Sequence, residues 1–182
     1  MVNWDEINAF NAGTATKVYN ALGAHPVENG FRFSVWAPNA GAVYIVGDFN
    51  DWEVAKDALE PLGHSGIWSI VIPNAQEGQR YKFAIRYRGG SEIFSKADPF
   101  AKRQELPPAT ASVLFQSRFS WSDDEWLSRR KETQSLNAPI SIYEVHLGSW
   151  RRPNGDAPNY KEIAEELVAH VLRAGFTHVE FL

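Results

Sequence analysis

The 182-residue sequence contains no cysteine. That excludes disulfide frameworks, thiolate metal sites and cysteine nucleophiles, and leaves the fold to stand on packing alone. A basic excess is also missing: 18 Lys+Arg stand against 22 Asp+Glu, for a formal net charge of -4. Phosphate backbones are held by clustered cations, so nucleic acid is not an expected partner. No apolar run approaches the roughly 18 residues of a membrane span, and Asp5 and Glu6 stand where a signal peptide would be basic. The expectation is a soluble, cytoplasmic protein with no membrane partner. With 44% hydrophobic and 22% charged residues the chain can bury a core. What is plentiful is aromatic: 13% of the residues, with 7 tryptophans. That exceeds the demand of core packing, and flat apolar rings are also what sugars stack against.

Residues 1–29 read as an N-terminal arm, with Trp4, Ile7 and Phe10 at helical spacing followed by the turn-rich LGAHPVENG. From Phe31 the period becomes two. Phe31, Phe33 and Val35 share one strand face against Arg32, Ser34 and Trp36, and Val43 to Asp48 alternates likewise before the polar turn DFNDW. Ile67 to Ile72 is apolar on both faces. Arg80 to Arg88 alternates most clearly, predicting Tyr81, Phe83, Ile85 and Tyr87 inward and Lys82, Ala84, Arg86 and Arg88 outward. Gly89-Gly90 supplies a hairpin turn, so Ser91 to Lys96 pairs back, and Ala111 to Phe115 is a further short strand. Short strands with turn signals between them predict an immunoglobulin-like antiparallel β-sandwich over residues 30–116.

Residues 117–138 predict a linker helix, acidic at its start and basic toward its end, with Trp121 and Trp126 stapling it in place. In residues 139–182 a strand (IYEVHL), a polar loop, a periodic helix and a second strand (THVEFL) form a β-α-β unit. Asn159 and Glu162 are spaced as a capping box, and Gly175 stands at the helix C-terminal cap. One such unit cannot bury its own apolar faces, so the chain reads as the front of a longer protein: mainly β, with an incomplete β/α segment at its end.

Several blocks occur together and in order: LGAHP (22–26), FSVWAPNA (33–40), VGDFNDW (46–52), GIWSIVIP (66–73), YKF (81–83), KADPFA (96–101) and SIYEVHLGSWRR (141–152). In this the sequence resembles the 1,4-alpha-glucan (glycogen) branching enzymes across almost its whole length. Trehalose-forming relatives are similar but usually carry Thr-Phe where Ser149-Trp150 stands here. The resemblance implies a family-48 carbohydrate-binding module followed by the opening of an alpha-amylase-type (β/α)8 (TIM-type) barrel. It also implies a reaction that transfers an alpha-1,4-glucan segment to a 6-hydroxyl, through two carboxyls about 5 to 5.5 Å apart. Those carboxyls are not in this chain. GFRFS (30–34) has the look of a nucleophile motif, but Ser34 stands in place of the aspartate. No catalytic residue, metal ligand or cofactor is assigned, and the chain alone is expected to be inactive.

Related glycogen-binding modules stack glucose on the tryptophan of a Phe-Asn-x-Trp block and donate to its hydroxyls from the lysine of Tyr-Lys-Phe. The resemblance carries these roles to Trp52 and Lys82, with Asn50 and Asp51 as added polar contacts to an alpha-glucan partner. A second stacking tryptophan after the glycine turn is absent, with Ile93 or Phe94 nearby instead. The bland alternative buries Trp52 under a loop, since tryptophan is largely buried on average. Trp36, Trp68 and Trp150 read as core or interface, and the pairs Glu144/His146 and His178/Glu180 as structural, for want of a third convergent ligand. Arg151 and Arg152 read either as a solvated face or as lining for the glucan path. A non-catalytic glycogen-binding or scaffold subunit is the rival reading, but such a module has no use for half-built barrel strands. An immunoglobulin-like adhesion module leaves YEVHLGSWRR unexplained.

Overall fold

The structure is a computed structural model that describes residues 4–152, 155–156 and 158–182. Residues 1–3 of the predicted arm, and 153, 154 and 157 of the predicted polar loop, lie outside the described residues. The chain divides into two compact units, Met1–Arg118 and Phe119–Leu182.

In the first unit, helix α1 (Trp4–Asn11) is followed by strands β1 (Gly23–Val27), β2 (Gly30–Trp36), β3 (Ala40–Gly47), β4 (Asp57–Ala58) and β5 (Glu60–Pro61). Strands β6 (Ile67–Pro73), β7 (Arg80–Tyr87), β8 (Ile93–Lys96) and β9 (Ser112–Val113) complete it. One antiparallel sheet runs β1-β2-β6-β5 and the other β4-β3-β7-β8, with β9 also pairing with β7. The alternation predicted from sequence gives the layer between them. Phe31, Phe33 and Val35 from one sheet meet Val43, Ile45, Tyr81 and Phe83 from the other. The Phe33 and Tyr81 rings meet edge to face at 5.1 Å across the gap, the arrangement aromatic quadrupoles favour. α1 covers the outer side of the first sheet through Ile7, which packs with Leu22 and Ile67.

Three expectations change here. The LGAHPVENG segment is not only arm: Gly23–Val27 is an edge strand hydrogen-bonded to β2, opposite Gly30–Ser34. Pro26 is tolerated in it because an edge strand can spare an N–H. Along β7 the alternation ends early, for Tyr87 is exposed while outward-facing Ala84 is buried. The last sandwich strand is only Ser112–Val113, shorter than the predicted Ala111 to Phe115.

The second unit holds α2 (Asp124–Thr133), β10 (Ile142–Val145), the short helix α3 (Leu147–Trp150), α4 (Tyr160–Ala174) and β11 (His178–Phe181). β10 and β11 pair in parallel, Ile142 opposite His178. α4 is capped as its sequence requires: Asn159 Oδ1 accepts from the Lys161 and Glu162 amides, and the Glu162 carboxylate accepts the Asn159 amide at 2.9 Å. Gly175 closes the helix at φ 78°, in the left-handed region that glycine enters without a Cβ penalty. Ile163, Leu167 and Val171 form its buried stripe, and Val145 packs against the last two. α2, in contrast, buries no residue. Trp121 and Trp126 are exposed rather than stapling it, Trp121 meeting the Phe119 ring at 5.0 Å.

Candidate functional site

The site grows out of the end of β3. Gly47 is extended there, and a Cβ on it would lie 2.4 Å from the Arg80 carbonyl oxygen, so only glycine lets β3 and β7 approach this closely. The chain then makes a 3-10 turn over Asp48–Asn50. Asn50 is the pin of that turn. Its side-chain oxygen accepts the Gly47 amide at 2.9 Å, and its amide nitrogen donates to the Ile45 carbonyl at 2.9 Å and to Asp57 Oδ2 at 2.7 Å. With every polar atom engaged and 2% of its surface exposed, Asn50 shapes the loop from inside instead of offering its amide to a ligand. This corrects its predicted contact role.

Asp51 and Trp52 follow at φ 58° and 61°. Consecutive left-handed residues with side chains are uncommon, and a bulky one is strained there. The turn is held by the Trp52 amide donating to the Gly47 carbonyl at 3.1 Å and by the Trp52 indole Nε1 donating to Asp48 Oδ1 at 3.0 Å. Trp52 therefore neither disappears into the core nor swings freely: it is half-buried, with its nitrogen tethered, while Asp51 is exposed beside it.

Asp48 is gripped from the other side by Arg80. Its Oδ2 accepts the Arg80 backbone amide at 2.8 Å and Nε at 3.0 Å, and its Oδ1 accepts Nη2 at 2.9 Å. The guanidinium, then burial acting against it, set the carboxyl at about 2, below its ordinary 3.8. Arg80 also reaches Glu105 at 3.5 Å, and Glu105 in turn accepts the Ala111 amide at 2.9 Å. Two residues along β7, on the same face as Arg80, Lys82 donates from Nζ to Thr110 Oγ1 at 2.7 Å. Trp52 is thus linked to Arg80 through Asp48, and Arg80 and Lys82 leave the same outward face of β7, where Val46 lies opposite Lys82 and Gly47 opposite Tyr81.

Asp48 and Arg80 were not singled out in the sequence. Strand alternation placed Arg80 on the Lys82 face and was its available signal; nothing local marked Thr110, 28 residues from its partner. Phe94, a possible substitute for the missing second tryptophan, pairs with Ile85 and so faces away from Lys82. Ser34 is fully buried and hydrogen-bonds Ser69 Oγ at 2.9 Å, as befits a strand residue. In the second unit the Arg151 guanidinium lies 5.0 Å from the Trp150 ring centre and pairs with Glu166 at 2.6 Å. Trp150 donates to the Tyr143 hydroxyl at 2.9 Å. Among the described residues no three His, Asp or Glu side chains converge to hold a metal ion, and no helix is long and apolar enough to cross a membrane.

Residues 21–101 match carbohydrate-binding module 48 (isoamylase N-terminal domain). The 1,4-alpha-glucan branching enzyme of Albidiferax ferrireducens is 48% identical over 179 residues, covering 97% of this chain. That of Nitrosomonas europaea is 42% identical over 187 residues and 100% of the chain. Over nearly its whole length the chain is thus similar to the N-terminal part of branching enzymes, and residues 21–101 carry the family-48 module. It spans 29% and 26% of the lengths of those two relatives. The module's fold recurs in solved structures of amylase-type enzymes. A putative alpha amylase from Salmonella typhimurium superposes with TM-score 0.63 at 19% identity, over 89% of this chain and 24% of that one. A maltotriose complex of the Klebsiella pneumoniae PulA G680L mutant does so with TM-score 0.63 at 22% identity, over 88% and 20%.

Proposed function

We propose that the module is an alpha-glucan-binding device of a branching enzyme, with Trp52 as its stacking platform, Lys82 as its donor and Asp51 as a flanking polar contact. The observation that carries this reading is the tethered indole: Nε1 is bonded to Asp48 at 3.0 Å while the ring stays half-exposed, and Asp48 ties it to Arg80, two residues before Lys82 on the same face of β7. A ring so held offers an apolar plane to the C–H face of a glucose unit, and the Lys82 ammonium offers N–H groups to its hydroxyls. That PulA, which shares this fold, is known as a maltotriose complex is in keeping with an alpha-glucan ligand. The domain reading that goes with it is an arm, a carbohydrate-binding sandwich, a linking segment around α2, and β10-α4-β11 as the opening unit of an alpha-amylase-type barrel. The exposed Val168, Leu172 and Phe181 support that last assignment, being apolar residues that further barrel elements would cover. The transfer of glucan segments to 6-hydroxyls belongs to the larger enzyme, in whose cytoplasmic glycogen metabolism the module would hold the polymer.

Affinity electrophoresis in glycogen-containing gels tests the site. Wild type is retarded; Trp52→Ala is retarded much less, in line with a roughly tenfold loss of affinity, and Lys82→Gln falls in between. Equal retardation of wild type and Trp52→Ala removes the assignment.

A further inference from the structure

The segment between β8 and β9 makes a largely exposed excursion over residues 102–110 and returns to β7 at Ser112, opposite Tyr81. Its tip is tied to the outward face of β7: Thr110 Oγ1 accepts the Lys82 ammonium at 2.7 Å, and the Glu105 carboxylate takes Arg80 at 3.5 Å. Its root is tied to the core. Asp98 is 1% exposed, its carboxylate accepts the Tyr81 hydroxyl at 2.6 Å and the Phe100 amide at 2.8 Å, and its own amide donates to Ser112 Oγ at 2.9 Å. Gln104 joins tip to root, its side-chain nitrogen donating to the Asp98 carbonyl at 3.3 Å and its oxygen accepting the Ser112 hydroxyl at 3.2 Å. Phe100 then leaves the second sheet and packs with Ile7 of α1, Leu22 and Ile67 on the outer side of the first. A Cβ on Gly23 would lie 3.0 Å from the Phe100 Cβ, so β1 has room for this crossing because position 23 is glycine.

Lys82 is where this strap meets the site proposed above. A lysine side chain in solvent samples many rotamers, and a ligand that fixes it must offset that lost freedom. Held at Thr110, Lys82 is fixed beforehand, and an ammonium with three N–H groups still has two to give. A ligand at Lys82 therefore binds the closed strap better than a loosened one, and it shifts the chain toward the state it prefers. Phe100 carries the same choice across the module, its amide held by Asp98 and its side chain by the arm. We propose that residues 98–112 are a coupling strap: filling the site at Lys82 tightens the docking of α1 on the other sheet, and the docking of α1 pre-organises Lys82 to the same extent, since such coupling is reciprocal. The trigger rests on the glucan reading above; the strap itself does not. Thr110 is its positioning residue at one end and Phe100 at the other.

The test uses the 182-residue chain and follows by NMR the hydrogen exchange of the bonded amides in α1 and the turn after it, residues 8–14. Without ligand, the double variant Glu105→Gln/Thr110→Val cuts both ties at the tip, and these amides exchange about fivefold faster. Thr110→Ser, which keeps the hydroxyl, exchanges as wild type does. Saturating maltoheptaose slows the same amides about fivefold in wild type and leaves them unchanged in the double variant. From the other end, Ile7→Ala loosens α1 far from any proposed sugar contact and weakens maltoheptaose binding by a similar factor, while the shifts around Trp52 persist. Unchanged α1 exchange in the ligand-free double variant, with the rest of its spectrum like wild type, overturns the strap. Shifts around Trp52 on adding maltoheptaose with no change at α1 overturn the coupling and leave the binding site standing. If no amide shifts at all, the glucan reading fails, and the ligand-free variants decide the strap by themselves.

Discussion

Trp52 and Asp48 are joined by a 3.0 Å hydrogen bond from indole to carboxylate, within a loop that turns left-handed at Trp52 itself. The same carboxylate anchors Arg80 on the neighbouring strand. Asp48 is therefore a positioning residue: it touches no ligand in the reading above, yet it fixes where the stacking ring stands.

Asp48→Asn is expected to keep the shape of the loop and lose its ionic grip. The folded-state value of about 2 lies below the ordinary 3.8, so the unfolded chain takes up this proton first as pH falls. The stabilisation is complete above about pH 4 and is lost toward about pH 2. Denaturant midpoints of wild type and Asp48→Asn should differ most near neutrality and converge toward pH 2. A constant gap across that range contradicts the pairing.

Asp98 carries the opposite sign. It is buried, accepts the Tyr81 hydroxyl at 2.6 Å and the Phe100 amide at 2.8 Å, and burial raises its carboxyl above the ordinary range. The folded state therefore holds this proton to higher pH than the unfolded chain does. The contribution to stability is full below the unfolded value and declines as pH rises through the folded one. Asp98→Asn should gain on wild type as pH increases from 4 to 7. Asp98→Ala, which strands the Tyr81 hydroxyl and the Phe100 amide, should cost roughly 2–3 kcal/mol by urea unfolding.

Asn50→Ala removes the pin of the loop. Three hydrogen bonds are lost inside a buried turn, with an expected cost of about 2–3 kcal/mol and loss of glycogen retardation. Trp52→Ala provides the contrast: retention falls with little change in unfolding midpoint. If Asn50→Ala leaves stability untouched, its amide does not hold the turn.

A single ring covering on the order of 60 Å² of sugar contributes about 1.5 kcal/mol, or roughly tenfold in affinity. Isothermal titration of Trp52→Ala with maltoheptaose should show a loss of that size. A loss of a hundredfold or more would mean that the loop itself has collapsed.

Much of the sandwich is legible from side-chain period, because Phe31, Phe33 and Val35 and then Tyr81 and Phe83 must each choose one face of a pleated strand. The caps of α4 are equally local, since Asn159, Glu162 and Gly175 act within a turn or so of themselves. β1 escaped notice because Gly23 and Pro26 imitate a loop, and only its partner β2 makes it a strand. Tyr87 defeats the alternation rule because period says which face a residue takes but not where the covering layer stops. The Asp48–Arg80 pair bridges 32 residues, and no spacing announces it. Asn50 looked polar and available; its burial follows from the geometry of a turn that wants an amide at its centre.

Two successive residues in the left-handed region, the second a tryptophan, cost about 1–3 kcal/mol apiece, and the loop keeps them because its hydrogen bonds leave no relaxed alternative. On the glucan-binding reading proposed above, such a loop is a die rather than a glove: it would lose little freedom when sugar arrives and would not remould itself around a differently linked chain. Selectivity among polysaccharides would then come from stiffness, and Asp51→Gly, which eases the backbone, should give a more heat-resistant yet less discriminating module.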